Sequence, residues 1–380
     1  MSAARPIGLL IGDYLRPSET FIHDQLQHAR RTEPFVCARR ELAGARLAFP
    51  HERVQTLPRW EELFFKATRR SPTFLRYLRQ HRVELLHAHF GLNGAHALEL
   101  VDTLGVPLVV TFHGHDVAGL LPKNRMKMRY FQYQLLRDRL FERASLLLAA
   151  SHDLARRLVE LHGAPAEKVL VQALGVETDR FVPQQRDPAS QIVLSVGRLV
   201  EKKGIEYGLA AFARARAEAP GATYRIVGEG PLRPALERRA EELGVRQFVE
   251  FLGARSHEQV RREMERADVL LLPSVTARDG DLESGVIVAK EAAATGLPVL
   301  GTIHGGIPEI IEDGETGFLA PERDVARLAE RLEALLCDGP LRQRFGLASR
   351  RRVEREFDSV RQNELLESRL LDVLAGRRAT

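Results

Sequence analysis

Ile192-Val193-Leu194-Ser195-Val196-Gly197-Arg198-Leu199-Val200-Glu201-Lys202-Lys203-Gly204 begins as a short apolar run, turns at a glycine, and carries three cations before the next glycine. So short a run, closed by glycine, reads as a buried strand of a parallel sheet running into a loop. It decides the fold because it restarts a pattern. Upstream, strand-like runs fall at 7–11, 35–38, 54–57, 85–88, 108–111, 146–150 and 169–171, with helical patterns near 19–31, 61–81, 93–104, 124–143 and 152–162. Downstream, runs recur at 192–196, 224–227, 249–252, 269–272, 299–301 and 318–320, with helices between them. Two such series predict two doubly wound α/β domains, with ligands at the carboxyl ends of the strands.

A polar stretch with two prolines, Val182-Pro183-Gln184-Gln185-Arg186-Asp187-Pro188, predicts the boundary. The expected domains are 1–185 and 186–357. A last helix over 358–380, apolar at Leu365, Leu366, Leu370, Leu371 and Leu374, is expected to cross back to the first domain. The chain's 380 residues, 44% hydrophobic and 28% charged, exclude a disordered chain and a coiled coil. No apolar run reaches the roughly 18–20 residues of a membrane span, and residues 1–12 lack the pattern of a signal peptide. Cys37 and Cys337 have no metal-ligand spacing and point to a reducing, cytoplasmic setting.

The net charge of +5 is unevenly spread. Residues 1–185 hold 26 Lys/Arg against 19 Asp/Glu, and residues 186–380 hold 30 against 32. Only 7 of the 56 basic residues are lysines, so the adjacent Lys202 and Lys203 stand out.

Asp279-Gly280-Asp281-Leu282-Glu283-Ser284-Gly285-Val286-Ile287-Val288-Ala289-Lys290-Glu291 runs from a polar loop into an alanine-rich helix. A helix start offers free N–H groups to phosphate, and carboxylates accept from sugar or ribose hydroxyls. A charge favoured by the helix dipole and a solvated helix residue would account equally for Glu283 and Glu291. Arg198 and Lys203 share the loop where a diphosphate would bind, and two fixed cations can neutralise it without a metal; a solvated basic loop reads the same way. Gly228-Glu229-Gly230-Pro231 forms a tight turn after the next strand. In the first half, Ser18-Glu19-Thr20-Phe21-Ile22 looks like a helix start. His87-Ala88-His89-Phe90-Gly91 and Thr111-Phe112-His113-Gly114-His115-Asp116 end successive strands. Their histidines lack a carboxylate or cysteine set for metal, and His113 becomes a candidate for substrate hydroxyls.

Together these motifs resemble the retaining glycosyltransferases of family 4, which have the GT-B architecture of two Rossmann-like domains facing each other across a cleft. The carriers are Glu283 and Glu291 seven residues apart, Gly296-Leu297-Pro298-Val299, and Arg198 with Lys203-Gly204. Gly228–Leu232, Leu252-Gly253, Ala267-Asp268-Val269 and Gly305–Glu309 also match. The first half is similar to a subgroup that assembles exopolysaccharide, capsule and colanic acid. The resemblance implies a UDP- or GDP-sugar donor held by the second domain, a glycan or lipid-linked acceptor held by the first, and no metal or other cofactor. It implies catalytic roles for Arg198, Lys203, Glu283 and His113. It places Gly12, Gly197, Gly228, Gly230, Gly253, Ala254, Arg255, Ser284, Gly285, Val286, Ile287, Val288 and Glu291 around the donor. It puts Ser18, Glu19, Thr20, His89 and Asp116 on the acceptor side. The chain departs from the family at Ser284-Gly285, where many relatives have Glu-Gly or an aromatic, and at Gly12, where many have paired glycines. A sugar-nucleotide epimerase, a small-molecule acceptor and a non-catalytic nucleotide-sugar binding protein are the rival readings.

Residues 59–82 and 123–143 each carry seven basic residues against two acidic, interleaved with aromatics such as Trp60, Phe64, Tyr130 and Phe131. Such helices suit the inner face of an anionic membrane, although core-packing helices with solvated basic faces would look the same. No recognition motif accompanies the charge, so nucleic acid is not an expected partner.

Overall fold

The computed structural model describes residues 4–14, 19–42, 49–124, 127–187 and 189–379. Ser18, Met126, Pro188 and the side chains of Thr20, Met128 and Arg129 lie outside the described set. The chain packs as two units, Met1–Gly175 with Ser359–Thr380, and Val176–Asp358.

The first unit runs β1 Arg5–Tyr14, α1 Thr20–His28, β2 Thr32–Glu41, β3 Val54–Thr56, α2 Arg59–Thr68, α3 Pro72–Gln80, β4 Leu85–His89, α4 Gly91–Leu104, β5 Leu108–Phe112, α5 His115–Ala118, α6 Met128–Arg143, β6 Leu146–Ala149, α7 His152–Glu160 and β7 Val169–Val171. Its sheet is parallel, in the order β3-β2-β1-β4-β5-β6-β7. Near-continuous apolar strands such as Leu108–Phe112, buried at every residue, need cover on both faces. On one face a Cβ at Gly8 would fall 2.8 Å from Leu78 of α3, so only glycine lets that helix lie so close.

The second unit runs β8 Ile192–Val196, α8 Ile205–Ala215, β9 Thr223–Val227, α9 Arg233–Glu242, β10 Val249–Gly253, α10 His257–Arg266, β11 Val269–Leu272, α11 Ile287–Ala294, β12 Val299–Thr302, β13 Gly317–Ala320, α12 Val325–Cys337 and α13 Gly339–Glu356. Its parallel sheet is ordered β10-β9-β8-β11-β12-β13. The order reverses between β8 and β11, where a doubly wound sheet opens its ligand crevice. Phe212, Tyr224, Leu271, Leu332 and Phe345 belong to its core.

α14, Ser359–Leu374, closes the other face of the first sheet. Leu366 and Leu370 pack with Ile7, Leu85, Val109, Leu146 and Leu148. Buried Glu367 accepts from the backbone N–H of Arg30 (3.0 Å), Arg31 (2.9 Å) and Thr32 (2.7 Å), fixing the turn into β2.

Three details differ from the sequence reading. The change of unit falls at Gly175–Val176 rather than near 185, because residues 176–186 are already bound into the second unit. Val176 N–H donates to the Phe357 carbonyl (2.8 Å), and Arg350 donates to the carbonyls of Thr178 and Phe181. The helix expected over 61–81 is two. Arg69 ends α2 in the left-handed region (φ 63°), and Ser71 caps α3, with Pro72 in its first turn, by accepting from Phe74 N–H. Finally, Gly12 belongs to no loop: β1 continues to Tyr14, past it.

Candidate active site

In the second unit the strand ends are laced together by backbone. Gly197 N–H donates to the Val227 carbonyl (2.9 Å), Gly228 N–H to Gly253 (2.9 Å), and Leu199 N–H to Glu229 (2.9 Å). Glycine is required at Gly228 (φ 140°), where a Cβ would stand 1.9 Å from the Gly197 carbonyl oxygen. It is required again at Gly197 (φ 153°), because the Lys203 side chain crosses the space a Cβ would fill.

Lys203 therefore leans back over the β8 loop, and its Nζ lies 3.0 Å from Oε1 of Glu283. Burial alone pulls the Glu283 carboxyl upward. Lys203 first and then Lys202 outweigh it and hold the group at about 2, so Glu283 is a carboxylate at neutral pH. Lys202 faces Asp281 (3.2 Å) and the Leu282 carbonyl (3.2 Å). Arg198 is exposed, and its guanidinium has no hydrogen bond or ion pair among the described residues.

The backbone of Glu283 is held as tightly as its side chain. Its N–H donates to Nε2 of His304 (3.0 Å), and Nδ1 of His304 faces Oε1 of Glu322 (2.6 Å). An acceptor Nε2 leaves the ring proton on Nδ1, so Glu322 fixes the tautomer. The Glu283 carbonyl accepts from Gly306 N–H (3.2 Å), and a Cβ at Gly305 (φ 51°) would collide with it. Three residues on, Val286 holds φ 38° and ψ 52° as it enters α11. This is a strained conformation for a β-branched residue, costing about 1–2 kcal/mol, of the kind that collects at functional sites. Ser284 and Gly285 are buried beside it, and Ile287 and Val288 are half-buried.

Glu291 is buried on α11, and its Oε1 lies 2.6 Å from Nε2 of His257 at the start of α10. His257 packs against Phe181, ring centroids 5.5 Å apart. Gly230 sits against the Leu199 backbone, and Gly253 (φ 72°) leads to exposed Ala254 and Arg255. Hence Arg198, Lys203, Glu283, Glu291 and the glycine turns all lie at or beyond the carboxyl ends of one sheet. His257, His304 and Glu322 escaped the sequence reading because each is linked to its glutamate or backbone partner across 18 or more positions. The only sequence signal was a histidine at a helix start or just past a strand.

In the first unit, His87 Nε2 lies 2.7 Å from Thr111 Oγ1, and His89 Nδ1 lies 3.0 Å from His113 Nε2. The His89 and His113 rings stack, with Phe21 and Phe90 beside His113. Burial pushes His87 down to about 4, His113 to about 3, and His89 well below its ordinary value. All three are neutral imidazoles at pH 7. Asp116 accepts from Gly91 N–H (2.7 Å), His113 N–H (3.1 Å) and Gly114 N–H (3.0 Å), joining the loops after β4 and β5. Glu19 stands at the start of α1. Gly12 lies inside β1 rather than in a phosphate loop. Among the described residues no group of three or more His, Cys, Asp or Glu is set to hold a metal ion.

Residues 177–352 match the family Glycosyl transferases group 1, and residues 18–180 match Glycosyltransferase Family 4. WcaL of Escherichia coli K12, named for colanic acid biosynthesis, is 37% identical over 258 residues, 67% of this chain and 61% of its own length. AmsK of Erwinia amylovora, an amylovoran biosynthesis glycosyltransferase, is 35% identical over 279 residues, 72% of this chain and 67% of its own. The chain thus spans 61% of the first of these relatives and 67% of the second. Anabaena HepE, solved in complex with UDP-glucose, shares the fold with a TM-score of 0.75 at 21% identity, covering 97% of this chain and 99% of that one. Two parallel-sheet Rossmann-like units and two family matches that between them run from residue 18 to 352 place this chain in the group 1, family 4 glycosyltransferases.

Proposed function

We propose that the chain is a retaining, metal-independent glycosyltransferase that moves a hexose-type sugar from a UDP- or GDP-sugar to a glycan or lipid-linked acceptor in polysaccharide biosynthesis. The observation that carries this reading is the cluster of Arg198, Lys203 and Glu283 at the switch point of the second sheet. Negative charge develops on the leaving diphosphate as the glycosidic bond breaks, and preorganised cations stabilise that state more than the ground state. Lys203 and the unpaired Arg198 supply them. Glu283, ionised and acceptor-only, hydrogen-bonds hydroxyls of the transferred sugar. Glu291 takes the ribose hydroxyls, exchanging its contact with His257. His113, neutral, hydrogen-bonds a substrate hydroxyl without adding charge. The names of WcaL and AmsK support an exopolysaccharide product.

An acceptor on a lipid fits α2, which exposes Trp60 (66%), Leu63 (69%) and Phe64 (43%) along one helical face next to basic residues. Among the described residues no helix is long and apolar enough to cross a membrane; the contact proposed is a peripheral one, at the cytoplasmic face. A panel of sugar nucleotides, read by thermal stabilisation and slow hydrolysis, tests the reading. One UDP- or GDP-sugar is expected to stabilise the protein and to be hydrolysed without an acceptor. Stabilisation by none, or an epimerised sugar as the product, overturns it.

A further inference from the structure

The loop between β11 and Glu283 lies along residues 201–203 of the β8 loop, residue by residue. Glu201 accepts from Arg278 N–H (3.2 Å) and faces its guanidinium (3.5 Å), Lys202 faces Asp281 (3.2 Å), and Lys203 faces Glu283 (3.0 Å). Val275 N–H donates to the Lys202 carbonyl (2.9 Å). The same loop is held a second time, by one carboxylate. Glu322, just past β13, accepts from Thr276 N–H (2.9 Å), from Thr276 Oγ1 (3.0 Å) and from His304 Nδ1 (2.6 Å). His304, 3% exposed, passes that hold to the Glu283 N–H through Nε2 (3.0 Å). Glu322 thus grips both ends of the stretch, Thr276 directly and Glu283 through His304. Arg323 closes the ring, donating to Glu322 Oε2 (3.0 Å) and to the Thr276 carbonyl (2.7 Å). Burial raises the Glu322 carboxyl, but the Thr276 N–H first and then His304 outweigh it. The group is held below its ordinary value and accepts as an anion.

The two holds differ in what a substrate does to them. In the proposed transfer reaction a diphosphate would draw Lys203 toward itself, so the ion pair weakens when the Glu283 carboxylate is needed in place. His304 and Glu322 have no such second duty. We propose that His304 and Glu322 are positioning residues of the transfer reaction, which keep Glu283 aimed at the transferred sugar while Lys203 serves the diphosphate. The inference rests on the roles proposed for Glu283 and Lys203. The link suits an imidazole, which offers an acceptor to Glu283 and a donor to Glu322 at once. An ionised Glu322 is acceptor-only, so the ring proton stays on Nδ1 and Nε2 stays open to the Glu283 N–H. A displacement of about 1 Å in such a group costs about 10²-fold in rate.

The test uses the full chain, the UDP- or GDP-sugar that stabilises it, and the matching nucleoside diphosphate. His304→Phe fills the space but offers Glu283 no acceptor, and is expected to lower kcat about 100-fold. By calorimetry its affinity for the nucleoside diphosphate stays that of the unaltered chain, while the extra affinity conferred by the sugar falls. His304→Gln restores most of the turnover, because its carbonyl can accept from Glu283 and its amide can donate to Glu322. A readout free of activity comes from NMR of the chain labelled with ¹⁵N-histidine. The His304 signal, identified among the 13 histidines by its loss in His304→Gln, is expected to show the Nδ1–H tautomer, and a mixture in Glu322→Ala. Thermal melts report folding for each variant. Turnover kept in Glu283→Ala overturns the reading on which the inference rests. If Glu283→Ala loses turnover, then unaltered kcat in folded His304→Phe overturns the positioning role itself. Equal losses in His304→Phe and His304→Gln, or an Nε2–H tautomer at His304, overturn it as well.

Discussion

The Lys203 ammonium rests 3.0 Å from the Glu283 carboxylate, directly above a glycine that has no Cβ to obstruct it. The pair holds a cation and an anion ready beside each other; in the transfer reaction proposed above, the first would meet a leaving phosphate and the second sugar hydroxyls. Glu283→Gln keeps the shape but loses the charge, and Glu283→Ala loses both. Glu283→Ala is expected to lower kcat by about 10²–10³, as deletion of one preorganised polar group does. Near-wild-type turnover in a folded protein would falsify the role assigned to Glu283.

Arg198 and Lys203 separate by stability. Arg198→Ala is expected to lower kcat more than it raises KM and to leave the melting temperature unchanged, since the side chain is exposed and unpaired. Lys203→Ala is expected to lower kcat and also to destabilise the second unit by about 3 kcal/mol, because a buried carboxylate loses its partner. Steady-state kinetics with denaturant melts distinguish the two; equal stability loss in both variants contradicts the geometry.

The buried histidines of the first unit give a pH signature. His87, His96 and His113 have folded values of about 4, 3 and 3, below the ordinary 6.5. The unfolded chain therefore binds more protons between these values, and stability falls as pH falls. Full stability from these groups is expected above pH 6.5, declining toward about pH 4. His96→Gln should flatten that decline in a melting series from pH 7.5 to pH 4.5, bounds set at about one unit above the ordinary value and near the lowered one. An unaltered slope would count against a neutral, buried His96.

Lys290 is almost fully buried on α11, and burial pushes it down to about 7. The sign mirrors the histidines: its share of stability is present above the ordinary value of 10.5 and is lost as pH falls through 7. Lys290→Met is expected to raise the melting temperature most below pH 7, with an advantage that shrinks toward pH 10. A gain constant across that range rules the argument out.

Glu367 accepts three consecutive backbone N–H groups. Glu367→Ala removes the acceptor of all three and leaves the buried N–H of Thr32 without a partner, and it is expected to cost roughly 2–4 kcal/mol. Chemical denaturation measures this, and a loss below about 1 kcal/mol, the net worth of one ordinary hydrogen bond, would refute the anchoring role.

Legibility followed distance along the chain. Strands such as Ile192–Val196 and Val269–Leu272 were readable because apolar runs closed by turn residues are local signals. Arg198, Lys203 and Glu283 each sit in a compact motif that stands out locally, whereas the meeting of Lys203 with Glu283 is long-range and has no local signal. The break at Ser71 was hidden by apolar spacing that continues across it, and its cause, Glu61 accepting from Ser71 and Thr73, is a tertiary-scale network. Gly12 looked like a loop glycine because nothing local reveals that Arg39 lies across it. The pairing of Glu291 with His257 depends on two helices meeting, which no spacing encodes.

The first and last residues of the second unit lie side by side: Val176 bridges to Asp358, and Thr178 Oγ1 donates to the Asp358 carboxylate at 2.6 Å. The polypeptide thus enters and leaves this body through a single doorway. A module bounded in that way is portable. Residues 176–358 can be lifted out and replaced by the corresponding segment of a relative with only two splice points to repair, and both lie on the same short ladder. Exchange of this whole unit between lineages then needs one cut-and-paste event and leaves the strands of the first sheet uncut.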